Sequence, residues 1–178
     1  MPSLDLESPL WRFALDFYAA EGVAENLLAL QNDSQCQINQ LLFALWAATQ
    51  KMRIEHPLDS KVTHWQNQVT APLRQLRFAV RQVKLAQPEL AALYKKLLEA
   101  ELAVEQVEIA QLYRARFELS GRGDDLSCEQ LMLANINWAA SELCMPEAHR
   151  LQLLRTQALE FLQQDGQNTE LYNDLSDY

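Results

Sequence analysis

The chain has 178 residues, 49% of them hydrophobic, and a formal net charge of −9. This length can bury a sizeable core in one domain, and the low counts of glycine (4) and proline (6) argue against a turn-rich all-β fold. Because nucleic acids and anionic membrane surfaces attract clustered cations, the acidic balance predicts neither of them as a partner.

The first part of the sequence predicts three helices. Ser8 followed by Pro9 has the chemistry of a helix N-cap and first helical position, and Gly22 ends this helix. A second helix, VAENLLALQ, stops near Asn32 and Asp33. The third has the apolar spacing i, i+3, i+4, i+7 and i+8 of an amphipathic helix. Its apolar residues are Ile38, Leu41, Leu42, Leu45 and Trp46.

The middle of the sequence predicts a long helical hairpin. Residues 53–60 (RIEHPLDS) form a turn, because the residue before a proline disfavours helix, and a short helix follows over SKVTHWQNQV. A longer helix begins at Pro72 and is interrupted at Gln87-Pro88. The next helix continues to Leu119, where the glycine-containing loop SGRGDD ends it. We therefore expect an antiparallel hairpin over residues 72–119.

The end of the sequence predicts two more helices and a tail. Ser127 and Gln130 have the spacing of a capping box, and Met145-Pro146 opens the last helix. Residues 165–178 are polar and acidic without a helical period, so we expect them to be disordered or loosely docked. The sequence thus predicts an all-α fold, a single compact bundle of about six to eight helices over residues 1–164.

The three cysteines, Cys36, Cys128 and Cys144, are odd in number and form no CxxC pair. We expect free thiols in a reducing compartment rather than a disulfide or a metal site. The first residues lack the basic and apolar regions of a signal peptide, and no run approaches the roughly 20 apolar residues of a membrane span. These features predict a cytoplasmic protein.

Three glutamates of the long helix occupy positions that usually hold core residues. With about 100° of rotation per residue and Leu90 placed at zero, Glu101, Glu105 and Glu108 lie within about 60° of the centre of the apolar arc. Since an isolated ionised carboxylate is too costly to bury, we expect these acids to be paired, hydrogen-bonded or protonated.

The preceding helix carries a complementary stripe of cations. Arg74, Arg77, Arg81 and Lys84 recur at i, i+3, i+7 and i+10 and are flanked by apolar residues on both sides. This arrangement is unusual for a helix that simply faces solvent. The cations are therefore candidate partners for the glutamates of the next helix.

The pairing of the two stripes depends on the register of the hairpin. If its turn is centred on Gln87, Leu97 lies opposite Arg77. Glu101 then reaches Arg74 or Arg77 only through the length of the arginine side chain. Other partners for the acids stay open, namely Arg12, Arg53 and His64.

Three interpretations of the charged stripes are open. The charges can form a structural network between helices, line a pocket for a carboxylate or phosphate ligand, or hold a di-metal centre. The residues concerned are Arg74, Arg77, Arg81, Glu101, Glu105 and Glu108. A di-metal centre in a helical bundle needs ExxH pairs, and the histidines at 56, 64 and 149 do not have that spacing. We predict no metal, no cofactor and no catalytic residue.

The stretches SPLWRFALDFYAAEGVAENLLALQ, NQLLFALW, WQNQVTAPLRQLRFAVRQVK and LYKKLLEAELAVEQVE follow one another from residue 8 onward. Together they resemble a bacterial family of short, uncharacterised proteins known as a conserved domain of unknown function, and SPLWRFAL and NQLLFALW are the most specific parts. The resemblance covers roughly residues 8–160. It implies a compact helical protein and no established activity, so it implies no catalytic residues.

We expect a non-enzymatic, cytoplasmic binding protein that acts through a protein partner or as a homo-oligomer. The alternative is a helical enzyme or small-ligand binder whose pocket, lined by the six charged residues, takes an anionic carboxylate or phosphate ligand. Arg and Glu side chains paired with one another would favour the first interpretation. Charged ends that converge on an open cleft would favour the second.

Overall fold

The fold of the chain, seen in a computed structural model, is all-α, as the sequence predicts. The structure describes residues 3–140 and 148–176, with residues 165–176 described by their backbone alone. The α-helices of these residues are α1 (Pro9–Ala19), α2 (Val23–Ser34), α3 (Ile38–Thr49), α4 (Ser60–Trp65), α5 (Ala71–Lys84), α6 (Ala91–Leu119), α7 (Cys128–Ala139) and α8 (Ala148–Ser176). Two short strands, β1 (Met52–Ile54) and β2 (Ser120–Arg122), pair antiparallel where the sequence predicted only loops.

The chain divides into two compact units, each built from separate stretches of sequence. The hairpin unit consists of Met1–Trp11 and His56–Leu119, and the α3–α7 unit consists of Arg12–Glu55 and Ser120–Tyr178. The single domain that the sequence predicts over residues 1–164 stays a prediction.

The hairpin unit is built on the predicted antiparallel pair of helices, α5 and α6. A 3-10 turn, Pro88–Leu90, precedes α6, and a π-helical turn, Gln66–Thr70, joins α4 to α5. Pro72 lies in the first turn of α5, where its missing N–H is tolerated. A proline ring also crowds the carbonyl four residues earlier, and the wider π turn before α5 accommodates it. The kink or fresh start expected near Pro72 is therefore a π-helical turn within a continuous helical path.

The α3–α7 unit packs an almost fully buried helix against α7. On α3, the stretch Leu41–Ala48 is buried on all sides, as expected of a helix inside a core. Asn135 of α7 is 0% exposed, and its oxygen accepts from the Ile54 N–H at 2.9 Å. Its amide nitrogen donates to the carbonyl oxygens of Met52 (3.0 Å) and Ala44 (3.2 Å). One buried amide therefore fixes β1 to both helices without leaving a polar atom unsatisfied.

The capping box at the start of α7 is confirmed. The Ser127 hydroxyl accepts from the Gln130 N–H at 3.1 Å, and the Gln130 side chain accepts from the Ser127 N–H at 2.8 Å. These two bonds satisfy backbone donors that the first turn of a helix leaves unpaired.

The cysteine prediction for this unit differs from the structure at one position. Cys36 is buried and disulfide-bonded, whereas the sequence predicted free thiols; Cys128 is a free thiol, and burial raises its pKa. The odd cysteine count could not reveal which thiols the fold brings together. The backbone of α8 extends from Ala148 to Ser176. That residues 165–178 are disordered or loosely docked stays a prediction. The predicted start at Met145-Pro146 lies outside the described residues.

Candidate functional site

Two arginines of α5 and two glutamates of α6 form a closed charge cluster in the hairpin unit. Arg74 Nε lies 3.1 Å from Glu101 Oε1, and the Arg74 guanidinium also donates to Glu105 at 2.6 Å. Arg77 donates to both oxygens of Glu101, the second at 3.3 Å from its terminal nitrogen. Glu101 is thus held between two guanidinium groups. The structure brings together four of the six charged residues predicted from the sequence.

Glu108, the fifth residue, is held by neutral donors. It is 1% exposed, and its two oxygens accept from the Gln66 amide at 2.9 Å and the Thr70 hydroxyl at 2.8 Å. Both donors belong to the π-helical turn before α5. The Trp65 indole N–H, just before that turn, donates to the Val104 carbonyl at 3.0 Å. The π turn and the residue before it therefore direct three donors at α6, an arrangement that helical periodicity did not reveal.

Arg81, the sixth residue, is exposed, and no ion pair includes it within the part of the chain that the structure describes. The next cation of the stripe, Lys84, lies over the Tyr94 ring at 4.2 Å from its centroid. Of the predicted stripe, Arg74 and Arg77 are thus the cations that form ion pairs with Glu101 and Glu105 among the described residues.

The register of the hairpin differs from the predicted one by about one helical turn. Glu101 lies beside Arg77, where a turn centred on Gln87 predicts Leu97. The 3-10 turn Pro88–Leu90 belongs to the connection and moves the centre of the reversal towards α6. This shift brings Glu101 into direct contact with both arginines. The three glutamates already have partners on α5 and on the π-helical turn. They therefore do not require the alternative partners Arg12, Arg53 and His64.

Inside the closed charge cluster, burial and the neighbouring charges shift the pKa values in opposite directions. Burial raises the pKa of the Glu105 carboxyl above its ordinary value, and the charge and hydrogen bond of Arg74 offset this only in part. For Arg77, burial alone would lower the pKa, but the hydrogen bond and charge of Glu101 outweigh it and the pKa is raised. Arg77 therefore keeps its proton. Such a cluster fixes two helices together and leaves few charged ends for a ligand.

The outward face of α5 carries exposed apolar residues beside exposed glutamines, whereas two of its arginines are turned inward. The side chains of Arg74 and Arg77 are 15% and 12% exposed, whereas the residues Leu76 and Val83 are 51% and 45% exposed. Because α5 turns its cations towards the glutamates of α6, its apolar arc cannot face the same helix. None of the residues of α5 is fully buried.

A cationic cavity of about 490 Å³ lies between α4 and α6. It is lined by Ser60, Lys61, His64, Gln111 and Arg114, and none of the six predicted residues is among them. The sequence analysis named His64 as an alternative partner for the acids and did not single out the others. The sequence feature that could have indicated the cavity is the spacing of its residues. Gln111 and Arg114 on α6 are three residues apart, and so are Lys61 and His64 on α4.

In the described ranges, 3–140 and 148–176, no group of three or more His, Cys, Asp or Glu residues could hold a metal ion. Nor does any helix in those ranges have the length and apolar character needed to cross a membrane.

The fold and the charge cluster define the class as an all-α protein with an ion-paired helical hairpin. Residues 9–112 match the sequence model of a family described as "Protein of unknown function (DUF2390)". This match covers more than half of the chain, so the protein belongs to that family, and the resemblance seen in the sequence is confirmed. No curated protein and no solved structure is similar enough to the chain to count as a match.

Proposed function

We propose that this chain is a binding protein without catalytic activity, and that it binds another protein through the outward face of α5. The observation that carries this proposal is the reversed arrangement of α5. Two of its three arginines, Arg74 and Arg77, are turned inward and engaged with glutamates, whereas Leu76 is 51% exposed. A helix that exposes its apolar arc while burying its charges has the surface of an interaction helix.

The spacing of this face suits an α-helix as the partner element. Leu73, Leu76, Val80 and Val83 follow one another at intervals of three, four and three residues. This is the spacing of the seam between two packed helices, in which each side chain fits between those of the facing helix. A partner helix laid along this seam would remove from water the side chains that the hairpin leaves exposed.

Charge favours a partner helix with acidic residues beside its apolar stripe. The segment APLRQLRFAVRQVK that forms α5 contains four basic residues and no acidic one. Two copies of α5 packed face to face would bring Arg81 and Lys84 of each copy close to cations of the other, which like-charge repulsion opposes. A homo-oligomer through this face is therefore the less favoured form of the proposal, and nucleic acid and membrane are not proposed as partners.

The proposal excludes the Arg/Glu cluster as the binding or catalytic site. Glu101 receives hydrogen bonds from both Arg74 and Arg77, so its charge is already neutralised within the fold. The cytoplasmic setting also stays a prediction. The free thiol of Cys128 fits a reducing compartment, whereas the disulfide at Cys36 is of the kind that oxidising compartments favour.

The experiment compares three tagged proteins in lysate of the source cells. They are the wild type, the double variant Leu76→Ser/Val83→Ser, and Leu102→Ser as a control. Leu102 is 52% exposed on α6, so the control removes one exposed leucine, comparable to Leu76, at a different place. We expect the wild type and the control to retain the same partner, and the double variant to bind it about tenfold more weakly when the purified partner is titrated.

The oligomeric state, measured by light scattering on the purified proteins, separates the two forms of the proposal. A wild-type dimer that becomes a monomer in the double variant would identify a second copy as the partner. If the wild type is monomeric and all three proteins retain the same set of molecules, the outward face of α5 is not a binding surface.

A further inference from the structure

The apolar seam on the outward face of α5 has a row of cations along one edge. Three seam residues, Leu76, Val80 and Val83, are spaced by four and three residues along the helix. A basic residue follows each of them directly in the sequence, and one residue corresponds to about 100° of helical rotation. The three basic residues are Arg77, Arg81 and Lys84. They therefore lie on the same edge of the seam.

The cations of this edge differ in whether the fold neutralises them. Arg77 donates to both oxygens of Glu101. Arg81 is exposed, and Lys84 is half-buried over the Tyr94 ring. No ion pair among the described residues includes Arg81 or Lys84. The seam thus has a positive edge towards the end of α5, which can attract an acidic helix.

Residues 165–178, which we call the acidic segment, have the complementary sequence pattern. The segment contains four acidic residues and no basic one. Its apolar residues Leu171, Leu175 and Tyr178 are again spaced by four and three residues, and an acid directly precedes each of them. These acids are Glu170, Asp174 and Asp177. The backbone of α8 is helical to Ser176, and helical spacing places Leu171 and Leu175 on one side of it.

The two patterns match when the acidic segment runs parallel to α5. In parallel packed helices, a residue that follows a seam position on one helix lies beside a residue that precedes a seam position on the other. With Leu175 set against Val80, Asp174 and Lys84 have the relative positions of the ion pairs that flank a parallel seam. An antiparallel arrangement would place the acids and the cations at opposite edges.

We propose that the acidic segment of a second copy of this chain is the helix that occupies the outward face of α5. This inference rests on the proposed use of that face as a binding surface, and it names the partner. The repulsion that opposes two copies of α5 does not arise, because an acidic segment meets a basic helix. Docking covers the exposed Leu76 and Val83. Each copy carries one segment and one face, so reciprocal docking closes a dimer.

Analytical ultracentrifugation of the purified full chain over a range of concentrations measures this self-association. The variant Leu171→Ser/Leu175→Ser removes the apolar residues of the acidic segment. Asp174→Lys and Lys84→Glu each reverse one charge of the expected pair, and their combination restores opposite charges in exchanged positions. The matched control is Lys96→Glu, which reverses the charge of an exposed lysine on α6. Circular dichroism of each variant confirms that it is folded.

We expect the wild type to dimerise with a Kd of about 10 μM at low salt, where charge pairing is screened least. Leu171→Ser/Leu175→Ser should weaken the dimer about tenfold or more, because it removes the apolar contact. Each single charge reversal should weaken it about fivefold, and the combined variant should return to within about twofold of the wild type. Lys96→Glu should change the Kd by less than about twofold.

Three results would overturn the proposal. The first is a wild type that stays monomeric up to about 200 μM, well above the expected Kd. The second is a dimer that Leu76→Ser/Val83→Ser dissociates and Leu171→Ser/Leu175→Ser does not, which would assign the face to another part of the second copy. The third is a combined charge variant as weak as the single reversals. Each of them leaves the outward face of α5 to be judged by the capture experiment, so the proposed function can stand when this inference fails.

Discussion

The helix α6 takes part in two charged regions with opposite character. In the closed charge cluster, Glu101 lies between Arg74 and Arg77, and the charges neutralise one another. In the cationic cavity, Arg114 and Lys61 line one open space, and no described carboxylate forms an ion pair with either. The comparison shows that charges at inward positions of these helices are paired between helices, whereas these cations at exposed positions are not.

The largest expected effect is at the closed charge cluster. Glu101→Ala should lower the free energy of unfolding by about 3 kcal/mol, because it leaves the largely buried Arg77 without its carboxylate and Arg74 with Glu105 alone. Urea denaturation at neutral pH measures this loss. The control Glu99→Ala removes a carboxylate whose side chain is 65% exposed and should change stability by less than about 0.5 kcal/mol. Equal small losses in both variants would mean that Glu101 is not part of a buried pair.

A smaller effect, with a definite pH dependence, is expected at Glu105. Because its pKa is raised in the folded state, the folded chain holds this proton more tightly than the unfolded chain. Ionisation of Glu105 therefore lowers stability as the pH rises from the ordinary glutamate range through the raised pKa. Glu105→Gln removes this dependence, so the stability of the variant relative to the wild type should increase from about pH 4 to pH 7.

Urea denaturation of both proteins at each pH measures the Glu105 effect. A relative stability of the variant that decreases over this range would show that Arg74 outweighs burial and that the pKa is lowered instead.

The smallest effect is expected at the cationic cavity. Arg114→Gln should change the free energy of unfolding by less than about 0.5 kcal/mol, because no described carboxylate loses its partner. The same denaturation measurement, run beside Glu101→Ala, makes the comparison direct. A loss as large as that of Glu101→Ala would show that Arg114 has a structural partner, and the distinction between the two regions would not hold.

Much of the hairpin could be predicted from the sequence. The inward position of Glu101 and Glu108 followed from 100° of rotation per residue, which is fixed by helix geometry. The proline at 88 located the reversal. The register could not be predicted as reliably, because it depends on whether Pro88–Leu90 belongs to the turn or to the next helix. An error of one helical turn in the register decides whether Glu101 meets the arginines only through the length of their side chains or in direct contact.

The cationic cavity could not be predicted from helical periodicity. Lys61 and His64 lie on exposed positions of a six-residue helix, and their partners across the cavity are some 50 residues away along the chain. Exposed cations at i, i+3 are common on helix surfaces, and only the packing of α4 against α6 makes these converge. The donors to Glu108 were missed for a related reason, since the π turn rotates Gln66 and Thr70 away from α-helical positions.

A double-mutant cycle on Arg77 and Glu101 tests most directly whether the stripes form a structural ion pair. The free energy of unfolding is measured for the wild type, Arg77→Met, Glu101→Gln and the double variant. The closed charge cluster predicts a coupling energy of about 1.5 kcal/mol or more between the two residues. A coupling energy below about 0.5 kcal/mol would contradict the pairing. Arg77 and Glu101 would then again be charges that a ligand could bind.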